Sequence, residues 1–116
     1  MTREEILKHA FEYYGTSPEY LWDSSPDSAV LRNKSGKWYA IIMNVKNKSL
    51  GFDTEGTTEV INVKCDPLLI GSLRMQKGFL PAYHMNKNSW ISIIIDEKTD
   101  NGMLFDLLDM SYELTS

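Results

Sequence analysis

The densest set of chemically capable side chains is the run Tyr83-His84-Met85-Asn86-Lys87-Asn88-Ser89-Trp90. It sets aromatic rings, a cation and amide donors beside one another. Rings can stack on the faces of nucleic-acid bases, while Lys and Asn can donate to phosphate. A plainer reading packs Tyr83 and Trp90 into the core, gives His84 a local hydrogen bond and uses Asn86 to Asn88 to turn the chain. A second set lies between Ser28 and Phe52, where Arg32, Lys34, Lys37, Lys46 and Lys48 accompany Trp38 and Tyr39 without a single acid. That run concentrates positive potential, although cations on a hairpin also guard a sheet edge. Alternation assigns Lys37 and Tyr39 to one strand face and Trp38 to the other. In a third set, Glu4, Glu5, Glu12 and Glu19 offer carboxylates to a hard cation. Acids early in a helix also complement its dipole, and no Asp-x-Asp loop accompanies these.

Catalytic motifs are absent. Gly51 to Thr58 has the glycine spacing of a phosphate-binding loop, but Thr57 stands where the lysine belongs. No Gly-x-Ser-x-Gly, His-Glu-x-x-His or Gly-x-Gly-x-x-Gly occurs. Cys65 and His84 could form a nucleophile dyad, because such groups meet in space rather than in sequence, but a lone cysteine at a strand end is more often a small buried hydrophobe. His9, on a charged helix, is expected to face solvent. The expectation is a binding protein with no enzymatic turnover, no cofactor and no metal.

The net charge is −4, which excludes a surface coated throughout with base. Its distribution is uneven: residues 1–27 carry two cations against six carboxylates, residues 28–95 nine against four, and residues 96–116 one against six. With 42% hydrophobic and 24% charged residues in 116, the chain has the composition of a globular protein able to bury a core. A single cysteine precludes an internal disulfide. The longest apolar runs are strand-sized, and Thr2-Arg3-Glu4-Glu5 is unlike a secretory leader, so the expected location is the cytoplasm.

The elements that must position these residues follow from caps and periodicity. Thr2 and Glu5 form a capping box ahead of a stripe of Ile6, Leu7, Ala10, Phe11 and Tyr14, with Gly15 to end the helix. A loop over 16–27, with a short extended piece at Tyr20 to Trp22, precedes a hairpin of Ala29 to Arg32 and Lys37 to Val45. Both faces of the second strand are mostly apolar, which predicts a central position. A polar loop over 46–58 leads to a strand over Glu59 to Lys64, with Ile61, Val63 and Cys65 on one side. Asp66-Pro67 predicts a helix over 67–77. A strand over Trp90 to Ile95 follows, and Asp100 caps a last helix with Leu104, Leu107, Leu108 and Tyr112 as its stripe. The reading is a single α+β domain over 1–116 with two layers, an antiparallel sheet covered by N- and C-terminal helices.

Three segments in this order, Asn62-Val63-Lys64-Cys65-Asp66-Pro67, Tyr83 to Trp90 and Ser111-Tyr112-Glu113-Leu114, resemble the MmcQ/YjbR family. The resemblance implies a fold like that of bacterial frataxin homologues and of the double-wing DNA-binding domain of a phage transcription factor, and with it a DNA-binding label. The leading expectation is therefore a DNA- or RNA-binding module that uses Lys64, Arg74, His84, Asn86, Lys87 and Trp90, with Arg32 and Lys37 of the basic hairpin as auxiliary phosphate contacts. The rivals are an adaptor that receives an acidic protein partner on the same surface and a frataxin-like metal binder that uses the acidic ends. A membrane is not an expected partner.

Overall fold

The computed structural model describes residues 1–116. Helix α1 spans Arg3–Tyr14, opened by the Thr2 hydroxyl, which accepts from the Glu5 amide, and closed by Gly15 at φ 68°. That left-handed value is one glycine adopts without a Cβ penalty. Strands β1 (Ala29–Arg32) and β2 (Trp38–Lys46) form the expected hairpin, and a 3-10 turn at Asn47–Leu50 leads into β3 (Thr57–Lys64). Helix α2 (Pro67–Leu73) begins where Asp66 accepts from the Leu68 amide at 2.9 Å. Strands β4 (Phe79–Pro81) and β5 (Trp90–Ile94) precede α3 (Asn101–Leu114), capped by Asp100 accepting from the Met103 amide.

The five strands form one antiparallel sheet in the order β1-β2-β3-β5-β4. Register places Leu31, Ala40, Val63 and Ile91 in one row and Ala29, Ile42, Ile61 and Ile93 in the next. These residues share a buried cluster with Ile6 and Ala10 of α1 and Leu104, Leu107 and Leu108 of α3, so both long helices cover the same face. Each fully buried aliphatic side chain there contributes about 1.5–3 kcal/mol. The α+β class and the helical covering of an antiparallel sheet follow the sequence expectation.

Several local expectations are corrected. Helix α2 stops at Leu73 rather than 77, because Ile70 and Leu73 are its buried anchors and residues 74–77 lie exposed. Strand β4 was unforeseen: three residues carry too little periodicity to read, and Pro81 is tolerated because β4 is an edge. Phe11 is 64% exposed instead of joining the α1 stripe, since α3 leaves it uncovered. His9 does not face solvent. Its side chain is 13% exposed, with its ring stacked on Tyr13 at 4.4 Å and Phe105 at 4.2 Å and Nε2 3.4 Å from Asp109.

The β1/β2 register slips by one residue, with Leu31 opposite Ala40 but Arg32 opposite Trp38. Tyr39 is the extra residue of this bulge. It turns into the helix-side cluster, edge-on to Tyr14 and Tyr112 at 5.6 and 5.0 Å, rather than sharing a face with Lys37. Beside it, Ser111 of α3 accepts from the Lys64 amide at 2.9 Å and donates to the Tyr39 carbonyl at 2.5 Å. One buried hydroxyl thus joins β2 to β3 past the end of their regular ladder.

Candidate functional site

The sheet face opposite the helices carries Val30, Ile41, Asn62, Ser92 and Leu80 in a cross-strand row. Asn62 and Ser92 are fully buried, and polar groups so placed need partners. They supply them for each other and for the turn above. The Ser92 hydroxyl donates to the Asn62 side-chain oxygen, Asn62 donates to the Tyr83 carbonyl at 2.8 Å, and the Tyr83 amide donates to Ser92 at 3.0 Å. This network pins the start of the segment 82–89 onto the open face. Cys65 closes its far end, its amide donating to the Ser89 carbonyl at 2.8 Å.

His84 follows with φ 58°, the one non-glycine residue in the left-handed region. Histidine enters that region more readily than most side chains, but such a conformation still costs roughly 1 kcal/mol or more. Its ring lies parallel to that of Tyr83, with centroids 3.8 Å apart. On the other side of the face, Trp22 from the loop before β1 meets Trp38 edge-on at 5.8 Å.

Between these two aromatic walls runs a groove of about 590 Å³. Ile41, Met43 and Val45 of β2 form its floor, Tyr83, His84 and Met85 one wall, and Trp22, Ser25, Ser28 and Trp38 the other. Lys46 is the one charged residue along it, at the end of β2, where alternation with Val45 turns its side chain toward the helix layer. In the wall from the loop before β1, the Ser25 and Ser28 hydroxyls bond to each other at 2.5 Å.

The sequence candidates divide around this groove. His84 lines it. Lys64 pairs with Trp90 across β3 and β5 on the same face as Asn62, and Arg32 pairs with Trp38 across β1 and β2. Arg32 is neutralised by Glu19, its Nε 2.9 Å from Oε2, with the guanidinium carbon 6.0 Å from the Trp38 ring centre. The Glu19 hydrogen bond, opposed by desolvation, pushes its titration upward, so it stays charged. Asn86 spends its side chain on the Asn88 amide at 2.9 Å, and its carbonyl accepts from Trp90. Lys37 and Lys87 are exposed in turns. Arg74 caps the end of α2 and does not line the groove. Cys65 belongs to the helix-side core while His84 lines the opposite face, so the pair does not meet. Burial pushes the Cys65 thiol up, with Asp66 adding to the effect.

Trp22, Asn62 and Ser92 were not foreseen as parts of the site. The available signal was Asn62 and Ser92 themselves, each a polar residue inside an otherwise apolar strand.

The long helices are net acidic. Helices α1 and α3 carry Glu4, Glu5, Glu12, Asp106, Asp109 and Glu113 against Arg3 and Lys8. Arg3 is engaged by Glu59 and Lys48 by Glu55, whereas Lys34, Lys37, Lys46, Lys64, Arg74, Lys77 and Lys87 make no ion pair. No three His, Cys, Asp or Glu side chains gather in a metal-holding arrangement. No helix is long and apolar enough to cross a membrane.

Fold and groove together define a class: α+β proteins with a five-stranded antiparallel sheet, helices on one face and an aromatic groove on the other. Within that class the chain belongs to the YjbR family, whose model matches residues 11–114. It is 44% identical to the uncharacterized protein YyaQ of Bacillus subtilis (strain 168), over 99% of this chain and 98% of that one. A shorter match, 36% identical over 55 residues, links it to the uncharacterized protein YbdF of Escherichia coli O157:H7, over 47% of this chain and 45% of that one. A crystal structure from Pseudomonas syringae is similar over the full length of both chains, with 35% identity and a TM-score of 0.95. A Deinococcus radiodurans protein shares the fold at 22% identity and a TM-score of 0.75, over 97% of this chain and 77% of that one.

Proposed function

We propose that this protein is a nucleic-acid-binding module that works without catalytic turnover, using the open sheet face as its contact surface. The observation that carries this reading is the coincidence of unpaired cations and aromatic rings on and around one face, with a net-acidic helical layer behind it. A polyanion is attracted to the first surface and repelled by the second, so the charge layout favours one docking orientation. Lys64 serves as a phosphate contact, and Lys34, Lys37 and Lys87 extend it from the surrounding turns. Arg32 is better suited to positioning Trp38, because Glu19 already holds its charge. The expected likeness to frataxin-like and double-wing folds fits this reading, as does a cytoplasmic location.

Anisotropy titration of labelled oligonucleotides at two salt concentrations tests the proposal. Binding should weaken steeply with salt, because each neutralised phosphate releases counterions. Lys64→Ala and Lys87→Ala should each lower the slope of log K against log salt by about 0.7 to 0.9. If no salt-sensitive binding occurs even at low salt, the reading fails, and an acidic protein partner becomes the better account of the same cations.

A further inference from the structure

We propose that the groove between Trp22 and Trp38 on one side and Tyr83 and His84 on the other receives one unpaired base of a single-stranded nucleic acid. This inference rests on the nucleic-acid reading and gives it a substrate class. The floor of Ile41 and Val45, 3% and 4% exposed, with the half-exposed Met43, offers no partner to a phosphate and flat apolar contact to a heterocycle. A volume of about 590 Å³ falls within the roughly 300–1,000 Å³ of sites that enclose small ligands. A duplex keeps the faces of its bases stacked inside and displays phosphates and base edges. Only an unpaired or extruded base can bring a π-face to these rings.

The walls are prepared for such a guest. Asn62 and Ser92 hold the Tyr83 backbone from beneath, and the left-handed His84 keeps its ring against that of Tyr83. The Ser25 and Ser28 hydroxyls are bonded to each other, and the rings offer contact that every base can make. Stacking then dominates, and the preference among bases is weak.

The test compares a labelled thymidine oligonucleotide, a mixed-sequence single strand and a blunt duplex, each titrated against wild type, Trp22→Ala and His84→Gly. Glycine suits φ 58°, and Trp22 is 39% exposed, so both variants should keep the fold, which circular dichroism and thermal melting verify. The proposal expects both single strands to bind more tightly than the duplex. It also expects each variant to weaken them by roughly five- to a hundred-fold while the salt slope stays unchanged. Equal or tighter duplex binding that neither variant alters would overturn the base site and leave the nucleic-acid reading standing. Absence of binding to any of the three would overturn both.

Discussion

Two buried polar residues have opposite fates. The Tyr39 hydroxyl is fully buried without a partner in hydrogen-bond geometry, and burial pushes it up to about 12, an effect that Thr16 beside it moderates. A donor left in that state costs stability. Tyr39→Phe should therefore be neutral or stabilising by up to about 1 kcal/mol in urea unfolding near neutral pH. The folded hydroxyl titrates above its unfolded value of 10.0, so the stability of the wild type is full below pH 10.0 and falls as pH rises toward 12. The phenylalanine variant should lack that alkaline loss, and parallel curves for the two proteins above pH 10.0 would contradict the assignment. Asn62 is the reverse case, buried and fully employed. Asn62→Ala strands the Tyr83 carbonyl and the Ser92 hydroxyl, with an expected loss of roughly 2–3 kcal/mol. Amide exchange at Tyr83 should quicken with it, since the turn loses its anchor to the sheet.

At the level of elements, the joints matter more than the interiors. Asp66 caps α2 and lies at the end of the segment Asn62 to Pro67, so Asp66→Ala should lose about 1 kcal/mol with the fold retained. An unchanged urea midpoint would show that the cap carries no weight. Ser111 performs a different task, since α3 contributes one hydroxyl to a gap in the sheet. Ser111→Ala leaves the Lys64 amide and the Tyr39 carbonyl without it, with an expected cost of roughly 2–4 kcal/mol and faster exchange at Lys64. Tyr112, the next residue, stacks on Tyr14 at 4.3 Å and fixes α3 against α1. The segment Ser111 to Leu114 thus begins with two residues whose contacts build the fold rather than the groove. The segment Tyr83 to Trp90 does both, because its backbone anchors the turn while its rings line the open face.

For the whole molecule, the consequence of layering is electrostatic polarity. Six of the sixteen carboxylates sit on α1 and α3, away from the proposed contact surface. Glu12→Gln together with Glu113→Gln should therefore leave the salt slope of oligonucleotide binding unchanged and raise affinity slightly at low salt, through reduced long-range repulsion. A changed slope would mean that the helical layer touches the ligand.

Local rules were enough for much of this architecture. Thr2, Gly15, Asp66 and Asp100 satisfy or end helices through groups within a few residues, so the chain itself marks those boundaries. Alternation in β3 and the stripe of α3 likewise predicted Ile61, Val63, Leu104 and Leu108 as core, because burial of one face requires that period. Other features depend on residues far apart in the chain and leave no local trace. The shelter of His9 needs Phe105, the bulge at Tyr39 needs Ser111, and β4 exists because β5 offers it a ladder. The groove is the extreme case, assembled from the loop before β1, the floor of β2 and a turn held by Asn62 and Ser92. The residues with stacking chemistry were legible as types, but their meeting was decided by a sheet that brings segments some sixty residues apart onto one face, where short-range periodicity carries no information.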